Sequence, residues 1–145
     1  MTAPAGFEPL PVRAGLTDAL GPIYMRIRDG KLGLGFRVAA KHCNPIGICH
    51  GGMLMTLADI QCGFGARVQA DLNTFLPTIS FSCDFLKPAA KGDWVEGETE
   101  VIKTTRNLAF LQCVLRVEGE IIVRASGIMK IPSGDHPDLR NPPPG

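Results

Sequence analysis

From residue 52 to about residue 70 the apolar side chains Leu54, Leu57, Ala58, Phe64 and Val68 recur at separations of three, four and six to seven, the spacing of a helix with 3.6 residues per turn. The period then changes to two. Ile79, Phe81, Cys83 and Phe85 alternate with Ser80, Ser82 and Asp84, which predicts a strand with one buried face. Three more strand-like runs follow at 94–103, 108–117 and 121–131, the last two joined through Glu118-Gly119-Glu120. Ahead of the helix, the runs 23–28 and 32–39 flank Asp29-Gly30, a pair suited to a two-residue hairpin turn because both positions tolerate positive φ. The order β-β-α-β-β-β-β, with long antiparallel strands and one good helix, predicts an α+β domain in which a sheet of five to six strands wraps that helix. Gly63, Gly65 and Ala66 are expected to let the sheet backbone approach closely, although each helical glycine costs about 1 kcal/mol relative to alanine. Fraying of the helix end is the alternative.

Composition narrows the function. A chain of 145 residues reads as one domain, and 45% hydrophobic with 20% charged residues argues against disorder. With 15 Lys plus Arg against 14 Asp plus Glu, the net charge of +1 supplies no concentrated positive surface, so nucleic acid is excluded as a partner. Nine of the 12 prolines fall in the first 22 or last 14 residues, which places the core at about 20–131 between an irregular proline-rich N-terminal segment and an irregular tail. No basic segment followed by an apolar run opens the chain, and the longest uncharged stretch, 43–58, falls short of a bilayer span; a cytoplasmic location without membrane association is expected. Cys43, Cys49, Cys62, Cys83 and Cys113 contain no Cys-x-x-Cys pair and read as reduced, structural thiols.

Chemistry concentrates where a glycine-rich turn, Asn44-Pro45-Ile46-Gly47-Ile48-Cys49-His50-Gly51-Gly52, runs into the helix. The first N–H groups of a helix lack intrahelical partners and sit at the positive end of its dipole. Gly51 and Gly52 leave that end unobstructed, so a carbonyl oxygen held there would be polarised in the manner of an oxyanion hole. A simple tight turn is the competing explanation. Asp59, a carboxylate two turns into an otherwise apolar helix, shares a face with Gly52 and Met55. It either faces solvent or has a chemical task. His42, Cys43, Cys49 and His50 match no familiar zinc spacing, and no metal is expected. No Gly-x-Ser-x-Gly elbow is present, and a Cys49–His50 nucleophile couple is disfavoured because adjacent residues rarely point at each other.

Asn44, Gly47, His50-Gly51-Gly52 and Asp59 at the end of Leu-Ala-Asp, with Ser80-Phe81-Ser82-Cys83-Asp84-Phe85-Leu86-Lys87-Pro88-Ala89 and Arg106-Asn107-Leu108-Ala109-Phe110 downstream, resemble the hot-dog fold acyl-CoA thioesterases of the PaaI-like branch. The resemblance covers about residues 20–131. It implies a helix wrapped by antiparallel sheet, a homodimer joined edge to edge, and frequent dimers of dimers. It implies hydrolysis of an acyl-CoA thioester with no cofactor beyond the coenzyme A of the substrate. Carried over by position, Asp59 is the general base or nucleophile, and the Gly51 N–H polarises the thioester carbonyl with Asn44 and His50 in support. Asp59 and that loop come from opposite subunits. A strand hydroxyl assists Asp59; Thr78 aligns best, and Ser80 or Ser82 fits after a two-residue slip. Arg106 and Lys103 are candidates to meet coenzyme A phosphates, with Gly52 and Met55 near the substrate. Met53, Met55 and Phe64 suit an adaptable acyl pocket, and equally a core.

Two rivals remain at this level. A hot-dog enoyl-CoA hydratase would want an acid and a histidine acting together; the loop before the helix has Asn44 and His50 but no acid, and Asp135-His136 lies in the tail. A non-catalytic acyl-CoA-binding module would bind ligand without releasing thiol.

Overall fold

The computed structural model describes residues 2–11 and 15–133. In chain order the elements are β1 (Glu8–Pro9), α1 (Gly15–Leu20), β2 (Tyr24–Arg28), β3 (Lys31–Arg37), α2 (Gly51–Gln69), β4 (Thr78–Phe85), β5 (Trp94–Thr104), β6 (Leu108–Val117) and β7 (Glu120–Lys130). A short 3-10 turn, Ala40–His42, leads from β3 toward the loop before α2. All seven strands form one antiparallel sheet in the order β1-β2-β3-β5-β6-β7-β4. The α+β expectation holds, but with seven strands rather than five to six because β1 adds to the sheet, and the hairpin forms: Asp29 and Gly30 both adopt positive φ, 54° and 73°, between β2 and β3.

Two expectations need correction, and a third falls outside the described residues. The N-terminal segment is not irregular throughout: β1 pairs with β2, Leu10 donates to the Ile23 carbonyl at 2.9 Å, and α1 follows. Proline at 4, 9 and 11 is compatible with this because a two-residue edge strand asks little of the backbone N–H. The expected tail beyond residue 133, with Asp135 and His136, lies outside the described residues. Finally, the apolar face of β4 is only partly covered: Phe81 and Cys83 are half-buried, while Ile79 is 56% and Phe85 51% exposed. β4 is the last strand of the sheet, and among the described residues no further strand pairs with its free edge.

The core lies between α2 and the concave side of the sheet. Leu54, Leu57, Ala58, Cys62 and Ala66 meet Leu34, Phe36, Val95, Leu111, Leu115 and Val123 there. Close approach is realised at Gly65, where a Cβ would lie 2.7 Å from the buried Thr99 side chain, but not at Gly63, where it would meet open space. Gln61, fully buried and pointing away from Asp59, holds the helix to the sheet. Its Oε1 accepts from Leu34 N–H at 2.7 Å, and its Nε2 donates to the Leu32 carbonyl at 2.8 Å and Thr99 Oγ1 at 2.9 Å. Thr99 donates back to the Gln61 carbonyl at 3.0 Å. These bonds satisfy β3 backbone groups beyond Gly35–Arg37, the stretch that pairs with β5.

Candidate active site

The turn before α2 is shaped by its own polar groups. Asn44 Oδ1 accepts from the N–H of Ile46 at 3.2 Å and Ile48 at 3.4 Å, and Gly47 closes the turn at φ 83°. Asn44 is thereby committed to loop geometry. His50 is the N-cap of α2, and its Nδ1 accepts from Gly52 N–H at 2.8 Å. Its carbonyl accepts from Met53 N–H at 2.9 Å and Leu54 N–H at 3.3 Å. Three of the four first-turn N–H groups are therefore taken. The fourth, that of Gly51, has no acceptor among the described residues, and the Phe85 ring flanks it, 3.4 Å from where a Gly51 Cβ would stand. A polarised N–H beside an apolar wall suits a carbonyl oxygen arriving from outside.

Two turns further on, Asp59 is half-buried and its Oδ1 accepts from Thr78 Oγ1 at 2.6 Å. The open choice among strand hydroxyls has a structural answer. A bulge between Thr78 and Ser80 breaks the two-residue alternation, so Thr78 reaches Asp59 while Ser82 pairs with Ser126 at 3.0 Å on the other side. Met55 and Gly52 are exposed on the same helix face as Asp59. Asp59 and the Gly51 N–H of one chain lie eight residues apart along α2, about 12 Å at the helical rise. One helix thus carries both groups but does not bring them together.

Arg106 occupies the β5–β6 turn and Lys103 the bulged end of β5, both exposed. The pairing Thr78–Met129–Ala109–Thr104 places that turn at the same end of the sheet as Thr78. Met53 is buried in the core and Phe64 is packed against it.

His42, Cys83 and Cys113 are tied into the fold. His42 is buried, accepts from Ala39 N–H through Nδ1 at 2.9 Å and contacts the Leu20 carbonyl through Nε2 at 2.6 Å, which assigns the Nε2–H tautomer. Burial pushes the Cys83 thiol up to about 11, with Cys62, Asp84 and Asp59 adding to it. Cys113 is driven up by its contact with Cys62 and then by burial. Among the described residues no three His, Cys, Asp or Glu side chains are grouped to hold a metal ion. None of the described helices is long and apolar enough to cross a membrane.

Two features of this region escape sequence reasoning. Gln61 carries a signal, a lone amide in an apolar helix stripe, whereas the Phe85 wall beside Gly51 depends on how β4 is placed and has none.

Known proteins resemble this arrangement. The model of the thioesterase superfamily matches residues 46–123. A Pseudomonas aeruginosa protein named "Putative esterase PA0474" is 35% identical over 134 residues, 91% of this chain and 99% of its own length. In structure, the PaaI protein from the phenylacetic acid degradation operon of Escherichia coli superposes with a TM-score of 0.73 at 21% identity, covering 83% of this chain and 86% of its own. A hypothetical thioesterase protein of Streptococcus pneumoniae, solved with coenzyme A, superposes with a TM-score of 0.69 at 21% identity over 79% and 91% of the two chains. The matched span contains the His50-capped start of α2, Asp59 and Thr78, and with the wrapped helix it makes the chain a member of the thioesterase superfamily with the hot-dog fold, whose chemistry is thioester hydrolysis.

Proposed function

We propose that the protein hydrolyses an acyl-CoA thioester to the free acid and coenzyme A. The observation that carries this reading is the Asp59–Thr78 pair: a carboxylate on the open face of α2, oriented by a hydroxyl 2.6 Å away, in a chain of this superfamily. Asp59 takes a proton from water as the water adds to the thioester carbonyl, or attacks that carbon itself. The Thr78 hydroxyl holds the carboxylate in position, and the developing oxyanion meets the free Gly51 N–H. Collapse expels a thiolate, a stable leaving group that needs no strong acid behind it. Asn44 and His50 support the reaction indirectly by fixing the loop and the helix cap. Arg106, with Lys103 as a second cation, offers charge for coenzyme A phosphates. The Streptococcus pneumoniae neighbour solved with coenzyme A supports that ligand class.

The working unit in this reading is a homodimer, further paired as a dimer of dimers. The support is geometric. A carbonyl group about 1.2 Å long cannot meet both Asp59 and a Gly51 N–H about 12 Å away on the same helix. A second copy bringing its own loop against Asp59 resolves the mismatch, and the exposed β4 edge with Ile79 and Phe85 is apolar surface for such an approach. Each subunit then supplies Asp59 to one site and Gly51 to the other.

A thiol-release assay across short, medium, long and aromatic acyl-CoAs tests the proposal. Release well above the blank with at least one class is expected. Tight acyl-CoA binding without thiol over hours would establish a binding module instead. Loss of enoyl absorbance from crotonyl-CoA without thiol would establish a hydratase.

A further inference from the structure

Cys43 and Cys49 stand opposite each other across the neck of the loop that carries Asn44, as the partners of an isolated antiparallel bridge. Asn44 N–H donates to the Ile48 carbonyl at 2.9 Å and His50 N–H to the His42 carbonyl at 2.8 Å. These two bonds flank the cysteine pair and do not join it, which defines a non-hydrogen-bonded pair. In such pairs the Cα atoms are about 4.5 Å apart and both side chains leave on one face. Disulfides span Cα separations of about 4.4–6.8 Å.

The two thiols differ in access. Cys49 is buried and Cys43 half-buried. Burial, then the neighbouring Cys43, pushes the Cys49 thiol up to about 12, so external reagents meet Cys43 first. Cys43 Sγ now donates to the Ala39 carbonyl at 3.4 Å, and Cys49 Sγ to the His50 carbonyl at 3.7 Å. The His50 carbonyl is also the acceptor for the first N–H groups of α2.

We propose that Cys43 and Cys49 are a redox modification site, closing to a reversible cross-strand disulfide that ties the neck of the active-site loop when a low-molecular-weight disulfide oxidises them. The Cys43 thiolate attacks one sulfur of the reagent, forming a mixed disulfide and releasing one reagent thiol. Cys49, deprotonated to solvent, then attacks the Cys43 sulfur and releases the second. Two protein thiols are oxidised by two electrons, and one reagent disulfide is reduced to two thiols. Bond formation withdraws the Cys49 S–H from the His50 carbonyl and fixes the loop at the end of the helix that bears Gly51. The effect on turnover rests on the proposed function; formation of the bond does not.

The test incubates the full chain with excess 2-hydroxyethyl disulfide, then cleaves it with trypsin and cyanogen bromide. His42 to Met53 is a single fragment holding Cys43 and Cys49 alone among the five cysteines. The expected result is that fragment lighter by the two thiol hydrogens, restored by dithiothreitol, with Cys62, Cys83 and Cys113 still free. Turnover should fall by about tenfold or more while oxidised, because the loop that positions Gly51 is locked at its neck and cannot adjust around substrate. It should stay constant under oxidant in Cys43→Ala, while Cys49→Ala should stop at the mixed disulfide, its fragment heavier by one reagent thiol group and lighter by one hydrogen. A fragment of unchanged mass, a linkage through any other cysteine, or a disulfide that leaves turnover untouched would overturn the proposal. If no acyl-CoA is hydrolysed by the untreated protein, the proposed function fails and the fragment mass alone decides this site.

Discussion

At the scale of single residues, the account turns on which hydroxyl faces Asp59. The bulge between Thr78 and Ser80 gives Thr78 that place, at 2.6 Å, so the two hydroxyls are distinguishable by mutation. Thr78→Val keeps the side-chain shape and removes the donor; thiol release is expected to fall by roughly tenfold to a hundredfold. Ser80→Ala should leave it near the native rate, and equal losses in the two variants would contradict the assignment. Gln61 has a different burden. Gln61→Leu strands the Leu34 N–H and Leu32 carbonyl in the core, for a loss of about 3 kcal/mol by denaturant unfolding. A change under about 0.5 kcal/mol would show that water or backbone rearrangement replaces those bonds.

At the scale of elements, α2 is held by contact on one face and left open on the other, and its glycines report which is which. Gly65→Ala drives a Cβ to 2.7 Å from the fully packed Thr99 and should destabilise by roughly 1–3 kcal/mol. Gly63→Ala meets nothing within 4 Å and should be neutral or gain up to about 1 kcal/mol in thermal unfolding. Reversed signs would mean that α2 sits differently on the sheet. The elements themselves were largely legible in the residues. Period 3.6 marks α2 and period two marks β4, local patterns set by a face turned to the core, and Asp29-Gly30 marks the hairpin because both positions tolerate positive φ. The resemblance singled out Asp59, Gly51 and Thr78 with Ser80 and Ser82 as alternatives, and the bulge puts the Thr78 hydroxyl beside Asp59. What stayed hidden depends on neighbours distant in the chain. Gly63 and Gly65 look alike in sequence and differ because Thr99 lies above only one of them. The exposure of Ile79 and Phe85 follows from β4 being an edge strand, which alternation does not encode.

At the scale of the whole molecule, one chain carries Asp59 and the Gly51 N–H about 12 Å apart along α2 and an apolar sheet edge. In the dimer reading, Ile79→Lys places a charge in the joint between copies. The prediction is a shift toward monomer in sedimentation equilibrium with thiol release lost in parallel, while a monomer that retains full turnover would show that one chain suffices. The near-neutral net charge is consistent with the proposed substrate: one coenzyme A would ask for Arg106 and few other cations, not a basic groove. The most direct measurement for the central claim is thiol release by Asp59→Asn, which nearly preserves size and shape, compared with the native chain on the best acyl-CoA substrate. The account predicts a loss of about a hundredfold to ten-thousandfold with acyl-CoA binding and oligomeric state unchanged; native turnover in that variant would contradict it.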